Sequence, residues 1–345
     1  MAFAGRRIGQ PVFTVETMDR IRLGLVGCGF VGKLHAERLR EDPRAQVVVC
    51  CDPNSVSAAR LSAEYTQGAA IETDAESALG RHGLDAAVIC SPTLLHYPQV
   101  CTAFDHGLDV LCEKPLAPAR EQISDLVARH RQQGRILSIS YQRRYKSAYL
   151  TARRELCENA AYYGPLRQVH IFVCERWQQG IDGTWRDDPN IGAGYFGDAG
   201  SHQIDVTYYI TGQQTESLRA TSDKRGSRVE IVTQVMARLS GGAGLNAHFV
   251  GNAAHWREDI HFHCQDADLL VRNEQVFRAK DNRVEAITDL VPEGSPDRAF
   301  LDAIVDRQPT LSPAEAALPM FDWTAAVLES AREGREVTLP ENGTL

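Results

Sequence analysis

The chain has 345 residues, 43% of them apolar and 24% charged, with a formal net charge of −8. This length exceeds one small core and gives two domains as the natural expectation. The acidic balance excludes the basic footprint of a nucleic-acid binder, and no apolar run reaches membrane-span length.

The nine cysteines form no C-x-x-C pair and are odd in number. They read as reduced thiols in a cytoplasmic protein, not as a disulfide or zinc framework. Residues 1–19 read as a polar N-terminal extension. Arg6 and Arg7 are there, but the apolar stretch of a secretory signal is not.

The apolar, branched-rich run from Ile21 to Val26 predicts a strand. It meets Gly27-Cys28-Gly29-Phe30-Val31-Gly32, spaced G-x-G-x-x-G, and a helix is expected over 33–39. In that context Gly27 permits the tight turn. Gly29 lets a pyrophosphate approach the backbone, and Gly32 lets the helix pack on the strand. Unpaired N–H groups at the helix start then face the phosphates. The same residues nearly spell a P-loop, Gly27-x-x-x-x-Gly32-Lys33, but the Ser or Thr needed for Mg²⁺ is replaced by Leu34. A glycine turn without a ligand stays open on the glycines alone. The next apolar run, 46–51, ends at Asp52. A carboxylate there accepts the ribose hydroxyls and repels a 2′-phosphate, which favours NAD over NADP.

Helix and strand signals then alternate. Helices are expected over 55–65, from 74, over 95–106 and over 119–134. An edge segment is expected at 71–74 and strands at 84–90, 108–112 and 136–141. This is the pattern of a doubly wound parallel sheet. Its strand ends carry Gly27, Asp52, Ser91-Pro92 and Glu113-Lys114, which should converge on one cofactor.

The texture changes after residue 145. A strand over 166–174 is followed by a Gly-, Asp- and Trp-rich loop over 177–196 and a helix over 198–211. Alternating segments follow at 229–239, 243–250, 259–264, 268–271 and 275–279. Such a run predicts a mostly antiparallel sheet with one solvated or partner-covered face. Two helices close the chain, over 297–306 and 312–333, the second with Ser312 as cap and Glu315 at N3. The domains are therefore expected at 20–145 and 146–345.

Two constellations carry chemistry. Lys114 follows a strand and precedes Pro115; it reads either as a solvated lysine or as a cation beside the reacting centre. Asp198, His202 and Asp205 fall at i, i+4 and i+7, one helical face. They read either as a capping Asp with a core His, or as a general base with its support. No third ligand joins Asp198 and His202, so no metal is expected.

The ordered set of glycine turn, Asp52-Pro53, Ser91-Pro92-Thr93-x-x-His96, Glu113-Lys114-Pro115 and Asp198-x-Gly200-x-His202-x-x-Asp205 resembles the Gfo/Idh/MocA oxidoreductase family. The resemblance spans about Ile21 to Pro340. It implies an α/β protein: an N-terminal Rossmann domain and a C-terminal α/β domain with an open-faced, mostly antiparallel sheet. It implies NAD as cofactor, with Gly27, Gly29, Phe30, Val31, Gly32, Asp52, Ser91, Pro92, His96, Glu113 and Lys114 around it. Lys114, Asp198 and His202 would be catalytic, and Arg144 and Trp185 would help shape the substrate pocket. The implied reaction is reversible oxidation of a secondary alcohol of a sugar, cyclitol or related polyol. An alternative implied by some relatives is glycoside cleavage through transient oxidation. A homo-dimer or homo-tetramer through the C-terminal sheet is also implied.

Overall fold

The computed structural model describes residues 20–181, 183–189 and 193–341, without the side chain of Trp185. The expected extension at 1–19 lies outside the described residues.

The first half alternates as its sequence requires: β1 (Ile21–Val26), α1 (Phe30–Glu41), β2 (Ala45–Cys51), α2 (Ser55–Tyr65), β3 (Ala70–Glu72), α3 (Ala75–Arg81), β4 (Ala86–Ile89), α4 (Thr93–Asp105), β5 (Asp109–Cys112), α5 (Arg120–Gln133) and β6 (Leu137–Ile139). The strands pair in parallel in the order β3-β2-β1-β4-β5-β6. This order reverses direction between β1 and β4, where a crevice opens at the strand ends. Leu23, Leu25, Val88, Val110 and Leu111 are fully buried, as strands covered on both faces must be.

The second half adds α6 (Ser147–Glu158), α7 (Ala160–Tyr163), β7 (Leu166–Cys174), α8 (Gly194–Asp198), α9 (Ser201–Thr211), β8 (Thr215–Asp223), β9 (Val232–Leu239), β10 (Gly244–Val250), β11 (Arg257–Cys264), β12 (Asp268–Arg272), β13 (Gln275–Lys280) and β14 (Arg283–Ala286). Then come α10 (Pro296–Asp306), α11 (Ala317–Glu333) and β15 (Val337–Thr338). The sheet runs β14-β13-β12-β11-β7-β10-β9-β8-β15. Only the central β7–β10 pair is parallel; the other described pairs are antiparallel. One face is apolar, with Val169, Ile171, Leu245, Phe249, Ile260 and Phe262 buried. Trp323 of α11 packs edge-on against Phe249 of this face and Phe196 of α8, with ring centroids 6.0 and 5.8 Å apart. The opposite face keeps Phe172 and Met236 exposed. Among the described residues no helix is long and apolar enough to cross a membrane.

The structure corrects several expectations. The helix expected over 198–211 is two: α8 ends at Asp198 and α9 starts at Ser201, with Gly200 as its N-cap. Asp198 therefore does not cap the longer helix. Strand β8 was not expected, because its alternation is carried by small and polar residues, with only Leu218 and Ala220 as buried apolar anchors. Ser312 is not a cap either. Its fully buried hydroxyl donates to the Ile139 carbonyl at 2.7 Å, and Pro313 starts the following turn.

A split at residue 146 leaves α10 with the second domain in sequence, yet in space it lies with the first. Ser295 caps it, accepting from the Arg298 N–H at 3.1 Å. Phe300 and Leu301, both fully buried, pack with Ile21, Leu23, Val88 and Leu111 of the first sheet. Phe300→Ala should cost about 3–5 kcal/mol by leaving a cavity in that cluster. The expected reading is a lower denaturant midpoint at unchanged slope.

Candidate active site

The glycine turn is built by close approach. Gly27 has φ of +95°, and a Cβ there would lie 2.6 Å from the Cys90 carbonyl carbon and the Ser91 nitrogen. A Cβ on Gly32 would lie 2.0 Å from the Gly27 oxygen. By contrast, nothing within 4 Å faces a Cβ on Gly29. Gly29 is the N-cap of α1, without a side-chain cap, so the first-turn N–H groups open onto this space. Phe30 is 77% exposed beside it, and Val31 is half-buried. Asp52 sits at the end of β2, where its carboxylate accepts from the Cys28 N–H and the Asn54 N–H, each at 2.9 Å. These bonds fix the carboxylate and leave lone pairs for ribose hydroxyls. The open cradle, helix start and fixed acid fit a dinucleotide.

The neighbouring loops are braced from behind. His96 is buried, its Nδ1 2.8 Å from the Pro115 oxygen and its Nε2 2.7 Å from the Ser91 oxygen. Its ring lies between the Ser91-Pro92 loop and the Lys114-Pro115 turn, with a protein carbonyl facing each nitrogen. Burial pushes this ring's pKa down, against the two carbonyls. Glu113 faces His35 of α1, with Oε1 3.1 Å from Nε2, and its Oε2 accepts from the Lys114 N–H at 3.1 Å. On its other side, His35 Nδ1 lies 2.6 Å from Asp297 of α10. Burial, the largest single effect, would lower the His35 pKa, but the charge and hydrogen bond of Asp297 together with Cys90 raise it well above its ordinary value. Burial raises Glu113, yet His35 and Lys114 bring it below the usual range. The His35 ring thus sits between two carboxylates. His35 was missed in the sequence, where it is one position of an ordinary helix.

Lys114 ends the first sheet's contribution and reaches into the second domain. Its Nζ donates to the Asp198 carbonyl at 2.7 Å and to Asp198 Oδ1 at 3.1 Å. The other carboxylate oxygen, Oδ2, accepts from Arg186 Nε at 2.9 Å and Trp177 Nε1 at 3.3 Å. Burial would raise the Asp198 pKa, but Lys114 and Arg186 hold it far below the carboxylate range. His202 follows one turn later on α9. Burial, then the positive charges of Lys114 and Arg143, push its imidazole well below the ordinary value. Among the described residues its ring nitrogens have no hydrogen-bond partner, and no bond joins it to Asp198. The carboxylate read in the sequence as the imidazole's support, orienting it or tuning its pKa, is turned to Lys114, while its charge raises the His202 pKa against the larger opposing effects.

Arg144 is not brought to this cleft. It is 3% exposed and forked onto Asp205, with Nη2 2.6 Å from Oδ1 and Nε 2.9 Å from Oδ2, while Nη1 donates to the Leu311 carbonyl at 2.7 Å. Every face of its guanidinium is used within the protein, and Asp205 is consumed by the same pair. The side chain of Trp185 lies outside the described residues. The structure brings up other groups in their place. Arg143 pairs with the buried Glu258. Glu175 directly follows β7; burial raises its pKa, and both Arg143 and Asp198 act on its charge. The Tyr195 hydroxyl, in α8, is buried without a partner. The strand-end position of Glu175 was the available signal, since strand ends carried the polar groups of the first sheet.

Comparison with known proteins identifies the two domains. Residues 21–141 match the Gfo/Idh/MocA oxidoreductase family with its NAD-binding Rossmann fold, and residues 150–269 match the Gfo/Idh/MocA C-terminal domain. The chain is 33% identical to inositol 2-dehydrogenase 4 of Saccharopolyspora erythraea over 196 residues, covering 56% of this chain and 55% of that protein. It is 27% identical to the rhizopine catabolism protein MocA of Rhizobium meliloti, covering 60% and 62%. These matches thus span little more than half of the relatives' own length. The fold is shared with the WlbA dehydrogenase of Bordetella pertussis, solved in complex with NADH and UDP-GlcNAcA. There the TM-score is 0.79 at 22% identity, covering 93% of this chain and 99% of that one. It is shared as well with GenD2 from gentamicin A biosynthesis, solved in complex with NAD, at a TM-score of 0.81 and 20% identity, covering 96% and 100%. The chain belongs to the Gfo/Idh/MocA oxidoreductase family, and its first domain is that family's NAD-binding Rossmann fold.

Proposed function

We propose that this protein is an NAD-dependent dehydrogenase that oxidises a secondary alcohol of a sugar, cyclitol or related polyol. One observation carries the reading: an ammonium group, held across the domain boundary, stands beside an imidazole kept neutral. The inositol 2-dehydrogenase among its relatives supports the substrate class. The free cysteines suit a reducing, cytoplasmic setting, and the exposed Phe172 and Met236 suit a homo-oligomer contact on the outer sheet face.

Bound on the glycine turn, NAD supplies the hydride acceptor. The chain's residues do the rest. An ammonium group has three donors. Lys114 spends two on Asp198 and keeps one for the substrate oxygen, whose developing negative charge it offsets. His202 takes the hydroxyl proton on a ring nitrogen, because its burial and cationic neighbours keep it neutral at pH 7. Asp198 cannot compete for that proton, since Lys114 and Arg186 hold it ionised. Its role is to aim Lys114. Glu175, partly exposed just after β7, is a polar group left to read the substrate's other hydroxyls.

Lys114→Ala should lower kcat by about 10²–10³ and His202→Ala by about 10²–10⁴, with NAD affinity by fluorescence titration much less affected. Equal losses in turnover and NAD affinity would refute these roles. The assay is NADH build-up from a panel of polyols and sugars. Turnover without NADH accumulation would instead indicate transient oxidation of a glycoside.

The pH profile gives a second check. The His202 pKa is depressed in the folded protein, so its neutral, proton-accepting form persists as pH falls through 6.5, the ordinary histidine value. The acid limb of kcat/KM should lie below that pH; a limb at or above it would remove His202 as the base. For cofactor choice, Asp52→Asn should shift the kcat/KM ratio toward NADP by roughly tenfold, the effect of about 1.4 kcal/mol. An unchanged ratio would deny Asp52 the ribose contact.

A further inference from the structure

The outer face of the second sheet carries a group of side chains that the dehydrogenase site does not use. His261 and His263, two apart on β11, project from this face together, and Asp268 of β12 pairs in register with His263. The two imidazoles are nearly stacked, with centroids 3.8 Å apart and planes at 30°. His170 of β7 meets His263 edge-on at 5.2 Å.

One carboxylate oxygen is the focus. Asp268 Oδ2 lies 3.0 Å from His263 Nδ1 and 3.3 Å from His261 Nε2. The three donor atoms lie within 4.8 Å of one another. A proton on His263 Nδ1 accounts for the first contact as a hydrogen bond, but not for the second. His261 Nε2 is closed to water and, among the described residues, has no hydrogen-bond partner, although the oxygen is 3.3 Å away. A buried nitrogen of this kind needs an explanation, and a missing ion is one of the few available.

The spacing also fits a metal ion. Bonds of about 2.0–2.1 Å at tetrahedral angles place donor atoms about 3.3 Å apart, close to both observed separations. Two imidazoles and one carboxylate suit a borderline ion such as zinc, not magnesium or calcium, which prefer all-oxygen shells. Three protein donors leave a fourth position for water or another ligand.

We propose that His261, His263 and Asp268 bind a divalent transition-metal ion of the zinc class, which staples β11 to β12 on the outer face of the sheet. The reading is independent of the dehydrogenase site.

The test uses the full chain, stripped with a chelator and titrated with Zn²⁺ by calorimetry and with Co²⁺ by visible absorption. The expected result is saturation at one ion per chain, d–d bands of four-coordinate cobalt, and a Zn²⁺-dependent rise in Tm. His263→Ala and Asp268→Asn should each weaken binding at least ~10-fold, the minimum seen even for groups that only support a metal ligand. His261→Gln, close in size, repeats the test with less disturbance of packing, and unchanged NAD affinity certifies that each variant is folded. No binding to the wild-type chain, or binding that the three variants leave intact, would overturn the site.

Discussion

The contact between Lys114 and Asp198 makes the two halves of this protein one site. A lysine at the end of β5 has no reason to be catalytic within its own domain, because the parallel sheet only supplies an edge and a cofactor groove. A carboxylate at the end of α8 has equally little to do alone. Joined, each settles the other's state: the ammonium keeps the carboxylate ionised, and the carboxylate with its backbone oxygen fixes the ammonium's direction. His202 is then influenced by both. Burial and Lys114 lower its proton affinity while Asp198 opposes them. The pair thus acts on an imidazole one turn away without touching it.

Behind this pair lies a set of braces that face no ligand. His96 bridges two loop carbonyls, and His35 is clamped between Glu113 and Asp297. Both stiffen the turn that carries Lys114. Side chains next to reacting groups work only when their own rotamers are locked by neighbours. Arg144 and Asp205 do the same for the junction between the 3₁₀ turn Gln142–Tyr145 and α9. Such buried, fully paired groups look like ligand contacts in a sequence, because the residue types are those of binding sites.

That explains what the sequence could and could not tell. The first sheet was legible because apolar strands, glycines and strand-end acids impose a local pattern that has few other solutions. Lys114, Asp198 and His202 were legible as an ordered set. Their mutual geometry was not, because α8 and α9 are separated by a bend at Gly200 that no periodicity announces. Arg144 was misplaced because burial of an arginine depends on a partner 61 positions away. Glu175 and Tyr195 gave weak signals, one being a single acid after a strand and the other a tyrosine in a glycine-rich run. Strand β8 was invisible because a polar strand covered on one side by a helix needs few apolar residues to hold it.

The return of α10 to the first sheet has a mechanical consequence. The chain crosses between the lobes beyond β6, again before α10, and a third time between α10 and α11. The last crossing is anchored where Ser312 bonds the edge strand β6. A single tether would let one lobe swivel freely on the other. Three neighbouring tethers restrict relative motion to a hinge about the line that joins them. Opening of the cleft would then move Asp198 and Lys114 apart along one arc, and closing would bring them back on the same arc. The topology therefore limits how the two halves of the cleft can move against each other.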